Sequence, residues 1–212
     1  MSLALLVPVL DRPQNVAPLL ESIYATTPGP YRVLFICDPD DTGEIAAIAR
    51  EGGSAILSGG SYASKINAGI RATTETLVFL GADDLRFTAG WLPAATARLG
   101  DQVHVVGVND GLQRERRPDH ATHFLMTRAY AQQPTADGQP GPLSTAYSHS
   151  FVDDELIATA TARDAYAYEP RSLVKHLHWV NGTAADDETY RRGRAQFRQD
   201  RKTFGRRSAL WI

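Results

Sequence analysis

Cys37 is the only cysteine in the 212 residues. An intramolecular disulfide framework is therefore excluded, and a reducing compartment is the expectation. Long apolar runs are missing too. The opening segment Leu3-Ala4-Leu5-Leu6-Val7-Pro8-Val9 is far shorter than a membrane span, has no basic residue before it, and is closed by Asp11. It reads as a buried first strand rather than a signal peptide or anchor. Strong net charge is absent: at −2, nothing pulls the whole chain toward nucleic acid or membrane. There is no internal repeat and no clean domain boundary. A hydrophobic share of 43% and a charged share of 22% fit a folded chain of single-domain size. The composition thus predicts one soluble, cytoplasmic domain with no membrane partner.

Hydrophobic periodicity predicts alternating strands and helices. Residues 3–10 form a continuous apolar run, as in a parallel strand covered on both faces. Val16, Leu19, Leu20 and Ile23 follow at helical spacing, with Asn15 as candidate cap and Pro18 in the first turn. Residues 31–37 are a second strand. Asp41 or Thr42 caps a second helix, which ends at Gly52-Gly53. Residues 54–57 are a short third strand, 62–72 a third helix and 76–80 a fourth strand. Such βαβ units imply a mostly parallel sheet, whose ligands bind at the carboxyl ends of the strands. That rule places Asp11, Asp38, Gly60 and Asp83-Asp84 on one rim. Further on, residues 89–99 and 151–163 read as helices. Residues 103–108, 122–127 and 173–179 read as extended, 111–120 and 132–148 as loops, and 186 onward as a charged helix.

Several residues on this frame can carry chemistry. The buried strand Leu77-Val78-Phe79-Leu80 delivers Asp83 and Asp84 to the rim. Hard divalent cations bound to a diphosphate take one or two such carboxylates, although adjacent aspartates also make turns and caps. Asp38 ends the second strand and can accept a hydrogen bond from a base or ribose. Gly59-Gly60-Ser61 opens a helix carrying Lys65. A helix N-terminus attracts phosphate and Lys65 adds charge, but the glycine–lysine spacing is not that of a P-loop. Asp153, Asp154 and Glu155 cluster at a helix start, either as partners of its dipole or as a source of one general base. His176 and His178 lie in one extended segment and are expected on opposite faces, one of them available to a metal. From Arg191 to Arg207 there are eight basic residues and one acid, Asp200. That stretch is either a solvated helix face or a surface for a polyanion.

In order, these pieces resemble the family 2-like GT-A glycosyltransferases over nearly the whole chain. Val7-Pro8-Val9-Leu10-Asp11-Arg12-Pro13 looks like that family's opening strand, and Asp38 sits at its base-binding aspartate. Asn67-Ala68-Gly69-Ile70 resembles the Asn-x-Gly helix before the metal motif. Gly81-Ala82-Asp83-Asp84, then Gly90-Trp91-Leu92, resembles the Asp-x-Asp region and its sequel, with Ala82 where the first acid is expected. Asp153-Asp154-Glu155-Leu156 is similar to the stretch holding the catalytic base, with Val152 in place of a glutamate. His176 resembles the late metal-binding histidine.

The resemblance implies a single Rossmann-like GT-A domain: a nucleotide-binding half over residues 1–100, an acceptor half over 101–185 and a basic C-terminal helix over 186–212. It implies an inverting transfer from a nucleoside diphosphate sugar, UDP-linked, to an acceptor hydroxyl. Asp84 and His176 would hold manganese or magnesium, and Asp153 would be the base. Pro8, Asp11, Arg12, Asp38, Lys65, Asn67 and Asp83 would hold the donor. Hydroxylated bases in DNA, as modified by compact phage enzymes of this kind, a glycan or a small molecule are the expected acceptors. A nucleotidyltransferase would carry a glycine-rich loop where Leu10-Asp11-Arg12-Pro13 stands. A sugar-binding module without turnover would need no base.

Overall fold

The computed structural model describes residues 1–112, 117 and 119–211. It is one α/β domain built on an eight-stranded sheet. In chain order the strands are β1 (Leu3–Pro8), β2 (Tyr31–Cys37), β3 (Ser54–Leu57), β4 (Leu77–Leu80), β5 (Leu85–Phe87), β6 (Val105–Asn109), β7 (Phe124–Thr127) and β8 (Tyr166–His176). The helices are α1 (Val16–Thr26), α2 (Thr42–Arg50), α3 (Tyr62–Arg71), α4 (Trp91–Thr96), α5 (Arg128–Ala131), α6 (Val152–Ala162) and α7 (Glu188–Arg207). The sheet order is β3-β2-β1-β4-β7-β6-β8-β5. Its first four strands run parallel, β7 opposes β4 and β6, and β8 runs parallel to β6.

Side-chain alternation along the strands explains why the sheet is covered on both faces. Leu3, Leu5 and Val7 of β1 join Phe35, Cys37, Leu77 and Phe79 in one core layer, under Leu19 and Ile23 of α1 and Trp91 of α4. Ala4 and Leu6 join Leu34, Ile36, Val78 and Leu80 in the other, under Ile66 of α3 and Leu156 of α6. Each fully buried Leu or Ile contributes about 1.5–3 kcal/mol. Gly69 lets α3 lie close on the sheet: a Cβ there would stand 3.1 Å from a Leu6 methyl and 3.2 Å from one of Ile36. Phe79, Phe87 and Trp91 pack ring to ring at 4.8–5.3 Å, and the Trp91 indole N–H donates to Thr27 Oγ1 at 3.1 Å.

The parallel half follows the sequence expectation closely, and the second half departs from it. The expected helix over 89–99 is only Trp91–Thr96, and a short strand, β5, precedes it. The extended segment expected over 173–179 ends at His176 and begins at Tyr166. Pro170 and a register shift after Val108 interrupt its alternation, which is why periodicity hides its first half. Asn15 makes no side-chain cap; its amide points to Asp83 instead. Asp41 and Ser61 do cap α2 and α3. The loop expected over 111–120 lies partly outside the described residues, and 132–148 contains no strand and no further helix. Among the described residues, no helix is long and apolar enough to cross a membrane.

Candidate active site

A cavity of about 440 Å³ opens at the carboxyl ends of β1 and β4, between the sheet, the start of α6 and the first turns of α7. Pro8, Arg12, Lys65, Asp83, Asp84, Asp153 and His176 all line it. Asp11, Asp38 and Asn67 do not. Asp38 is bonded to the Lys65 ammonium, which also donates to the Val9 carbonyl at 2.8 Å. The lysine charge expected to meet a phosphate is thus neutralised within the protein. Asp11 lies at the surface, paired with Arg192 at 2.8 Å. Asn67 is buried below the floor, donating to the Leu143 carbonyl at 2.8 Å and packing against Gly141, so it fixes the 132–148 loop.

One pairing organises the floor. β5 runs antiparallel to β8 with Leu85 opposite His176, and the Leu177 N–H donates to the Asp84 carbonyl at 2.9 Å. Asp84, at the end of the first half, therefore meets His176: Nε2 lies 3.3 Å from Asp84 Oδ1. That oxygen is buried and has no other hydrogen-bond partner among the described residues. The opposite oxygen, Oδ2, receives the Arg12 guanidinium at 2.9 Å and lies 2.8 Å from the Tyr190 hydroxyl. Arg12 continues to Asp187, which it grips through two nitrogens at 2.7 and 3.0 Å, and lies 4.0 Å from the Tyr190 ring centre. Its own backbone N–H is held by Glu44 at 2.7 Å.

The two adjacent aspartates have opposite electrostatics. Burial and the neighbouring Asp84 push the Asp83 carboxyl up to about 8. Burial acts on Asp84 as well, but His176, Arg12 and Tyr190 outweigh it and hold that carboxyl below the usual range. The surroundings thus favour the charge on Asp84 over that on Asp83. His176 and His178 both face the cavity rather than the opposite faces expected of them: His178 is still extended, and residues two apart in an extended segment share a side. Their rings lie 5.2 Å apart, with His123 beyond His176 at 5.1 Å. His178 Nδ1 accepts the Val180 N–H at 3.2 Å.

The opposite wall is the start of α6. Phe151 holds a left-handed backbone, φ 68°, which turns the chain into the helix, and its ring packs between Phe197 and Phe204 of α7. Such strain in a non-glycine residue is found where tertiary contacts impose it. The three acids that follow separate. Glu155 points away from the cavity into a bidentate pair with Arg207 at 2.7 and 2.8 Å. Asp154 is bound by Arg117 at 2.5 Å. Asp153 accepts the Asp154 N–H at 3.0 Å and faces His120 at 3.5 Å. Burial and Asp154 hold the Asp153 carboxyl above the ordinary range, whereas His120 and Arg117 bring Asp154 below it despite its burial.

Sequence reasoning missed Tyr190, Asp187 and Asp200, all in the helix read as merely charged. Asp200 is 1% exposed and accepts the N–H groups of Ser148, His149 and Ser150, each at 2.9 Å. It thereby shapes the cavity wall, and Gly193 leaves room for the His149 ring. Asp200→Ala should cost about 2–4 kcal/mol, since hydrogen bonds to a charged group are worth roughly 1.5–3 each and water recovers part of them. Urea unfolding measures this, and a loss under about 1 kcal/mol would show that the wall does not depend on Asp200. Much of the basic stretch is likewise committed within the domain: Arg191 to Glu188, Arg192 to Asp11, Arg194 to Asp186 and Arg207 to Glu155 and Asp137.

No protein-family model and no curated protein sequence matches the chain. Solved structures do. Mannosyltransferase PcManGT from Pyrobaculum calidifontis, in complex with GDP-Man and Mn2+, superimposes with a TM-score of 0.63 over 82% of this chain and 56% of its own, at 16% identity. Glucosyl-3-phosphoglycerate synthase from Mycobacterium tuberculosis, with Mn2+, UDP and glucosyl-3-phosphoglycerate, gives a TM-score of 0.61 over 86% of this chain and 75% of its own, at 13% identity. The chain thus spans little more than half of the mannosyltransferase. At these identities the likeness is one of architecture, and the architecture shared with these glycosyltransferases is the Rossmann-like GT-A fold.

Proposed function

We propose that the protein is a metal-dependent glycosyltransferase that moves a sugar from a nucleoside diphosphate sugar to an acceptor hydroxyl. The observation carrying this reading is the convergence of Asp84 and His176 on the cavity floor, with Asp153 on the facing wall. Asp84 Oδ1 and His176 Nε2, 3.3 Å apart, are spaced close to the roughly 3 Å between neighbouring ligands of an octahedral ion at about 2.1 Å. The buried Oδ1 has no other hydrogen-bond partner among the described residues, so the donor set fits a divalent cation. His178 has its Nδ1 engaged by a backbone amide, which favours His176 as the ligand. A bound Mn2+ or Mg2+ would supply charge neutralisation at the leaving diphosphate.

The protein's own groups do the rest. Pro8, Arg12, Lys65 and Asp83 line the donor side, with Arg12 fixed by Asp84, Asp187 and Tyr190. Asp153, the less compensated member of its pair, accepts the acceptor proton, which implies inversion. Manganese complexes with GDP- and UDP-linked ligands among the structural neighbours support a nucleotide-sugar donor, and we favour UDP. Asp38 and Asp11 remain proposed donor contacts through the strand-end rim. Asn67 acts through the loop it holds.

The test is a panel of nucleotide sugars scored for manganese-dependent thermal stabilisation, followed by donor turnover with each stabilising compound. A ligand at 100 times its Kd stabilises by about 2.7 kcal/mol, which is several degrees for a chain of this size. If no nucleotide sugar raises the melting midpoint with Mn2+ present, the reading fails.

A further inference from the structure

On the wall facing the floor, His120 sits between two carboxylates. Its Nε2 lies 3.5 Å from Asp153 Oδ2 and 3.5 Å from Asp154 Oδ1, and the three ligand atoms all lie within 4.8 Å of one another. The imidazole is buried, its side chain 6% exposed. Neither ring nitrogen makes a hydrogen bond among the described residues. A buried imidazole 3.5 Å from two carboxylates brings three candidate ligands together in one place.

We propose that His120, Asp153 and Asp154 form a second cation site, separate from Asp84 and His176, for a transition metal of zinc's type. One imidazole and two carboxylates make the three-ligand nitrogen–oxygen set typical of an open zinc site, whereas magnesium usually keeps several waters and takes only one or two protein carboxylates. Around an ion at about 2.1 Å, the two His120–carboxylate pairs, each 3.5 Å apart, would subtend roughly 110°, the tetrahedral angle. Three protein ligands leave a fourth position, and Asp153 and Asp154 both line the cavity, so that position has access to a small ligand.

The Arg117 guanidinium now lies on Asp154 Oδ1 at 2.5 Å, but its side chain is 52% exposed. A cation at this site would displace it from Asp154, and it serves as the positive partner of the acid pair when no metal is bound. A cation coordinated by Asp153 takes up the lone pair that a general base needs. Zinc therefore suppresses transfer while manganese at the floor supports it; this consequence rests on the proposed function, whereas the binding does not.

The experiment is a zinc titration of the full chain against a chromogenic chelator, with no sugar donor present. The floor site is removed by Asp84→Asn, and this variant should still hold one zinc tightly. Adding His120→Ala to it should weaken that zinc by at least a hundredfold, with the circular dichroism spectrum unchanged. Should that double variant fail to fold, His120→Gln preserves the volume while removing the imidazole. Cobalt(II) gives an independent readout, an intense visible absorption band in the Asp84→Asn variant that the added His120 substitution abolishes. Zinc binding equal in the single and double variants overturns the proposal. So does the absence of zinc binding to Asp84→Asn, which leaves His120 as a plain ionic partner of the acid pair.

Discussion

Asp84→Asn should abolish manganese-dependent donor binding, weakening it by more than about a hundredfold, since even outer partners of metal ligands are worth 10–100-fold. From its place at a strand end, Asp84 looks like a rim carboxylate that could be removed freely. It is in fact buried, holding Arg12 and Tyr190 through Oδ2 while presenting Oδ1 to His176. Truncation to alanine would leave those groups with a hole. Asparagine keeps the shape and one carbonyl oxygen for the Tyr190 hydroxyl, and removes the charge. Arg12 retains its two bonds to Asp187, so the metal-free variant should lose only about 1–3 kcal/mol. Calorimetry of a UDP-sugar with Mn2+ decides the matter, beside melting curves without metal. Unchanged affinity in a folded variant would remove Asp84 from the cation site.

Asp153→Asn should leave donor affinity intact and lower kcat by roughly a hundredfold or more, the usual scale for a lost general base. The structure separates the candidates that the sequence leaves adjacent. Glu155 is turned away and gripped by Arg207. Asp154 is gripped by Arg117 and held in its ionised, weakly basic form. Among the described residues Asp153 has no arginine partner, and its surroundings make it the stronger base. Asp154→Asn should therefore affect the rate much less. The reverse result, with Asp154→Asn collapsing kcat and Asp153→Asn sparing it, would reassign the base. Steady-state kinetics with the best donor from the panel, read beside donor Kd for each variant, makes the distinction.

Much of this protein was legible from residue order alone. The apolar run of β1, the helical spacing of Val16, Leu19, Leu20 and Ile23, and the glycine stops define βαβ units, because burial on both faces of a parallel sheet imposes those patterns locally. Strand-end aspartates and the late His176 were visible as types of residue at expected places. Which of them meet was not. Asp84 reaches His176 only because β5, three residues long, pairs with the end of β8, and a segment that short carries no periodicity. Asp38 and Lys65 each looked like ligand groups, yet they neutralise one another across two elements.

The C-terminal helix shows the same division most clearly. Its sequence records an excess of arginine, and charge counting offers solvent or a polyanion. Only the packed chain reveals that Asp187 and Tyr190 hold Arg12 and Asp84, that Asp200 gathers three backbone amides, and that Arg207 closes on Glu155. Those partners lie 50 or more residues away in sequence. Sequence determined the fold and the kinds of chemistry available, because periodicity and side-chain type are local properties. Tertiary structure decided which charges are paired and which are left to act, because pairing depends on distances that the order of residues does not contain.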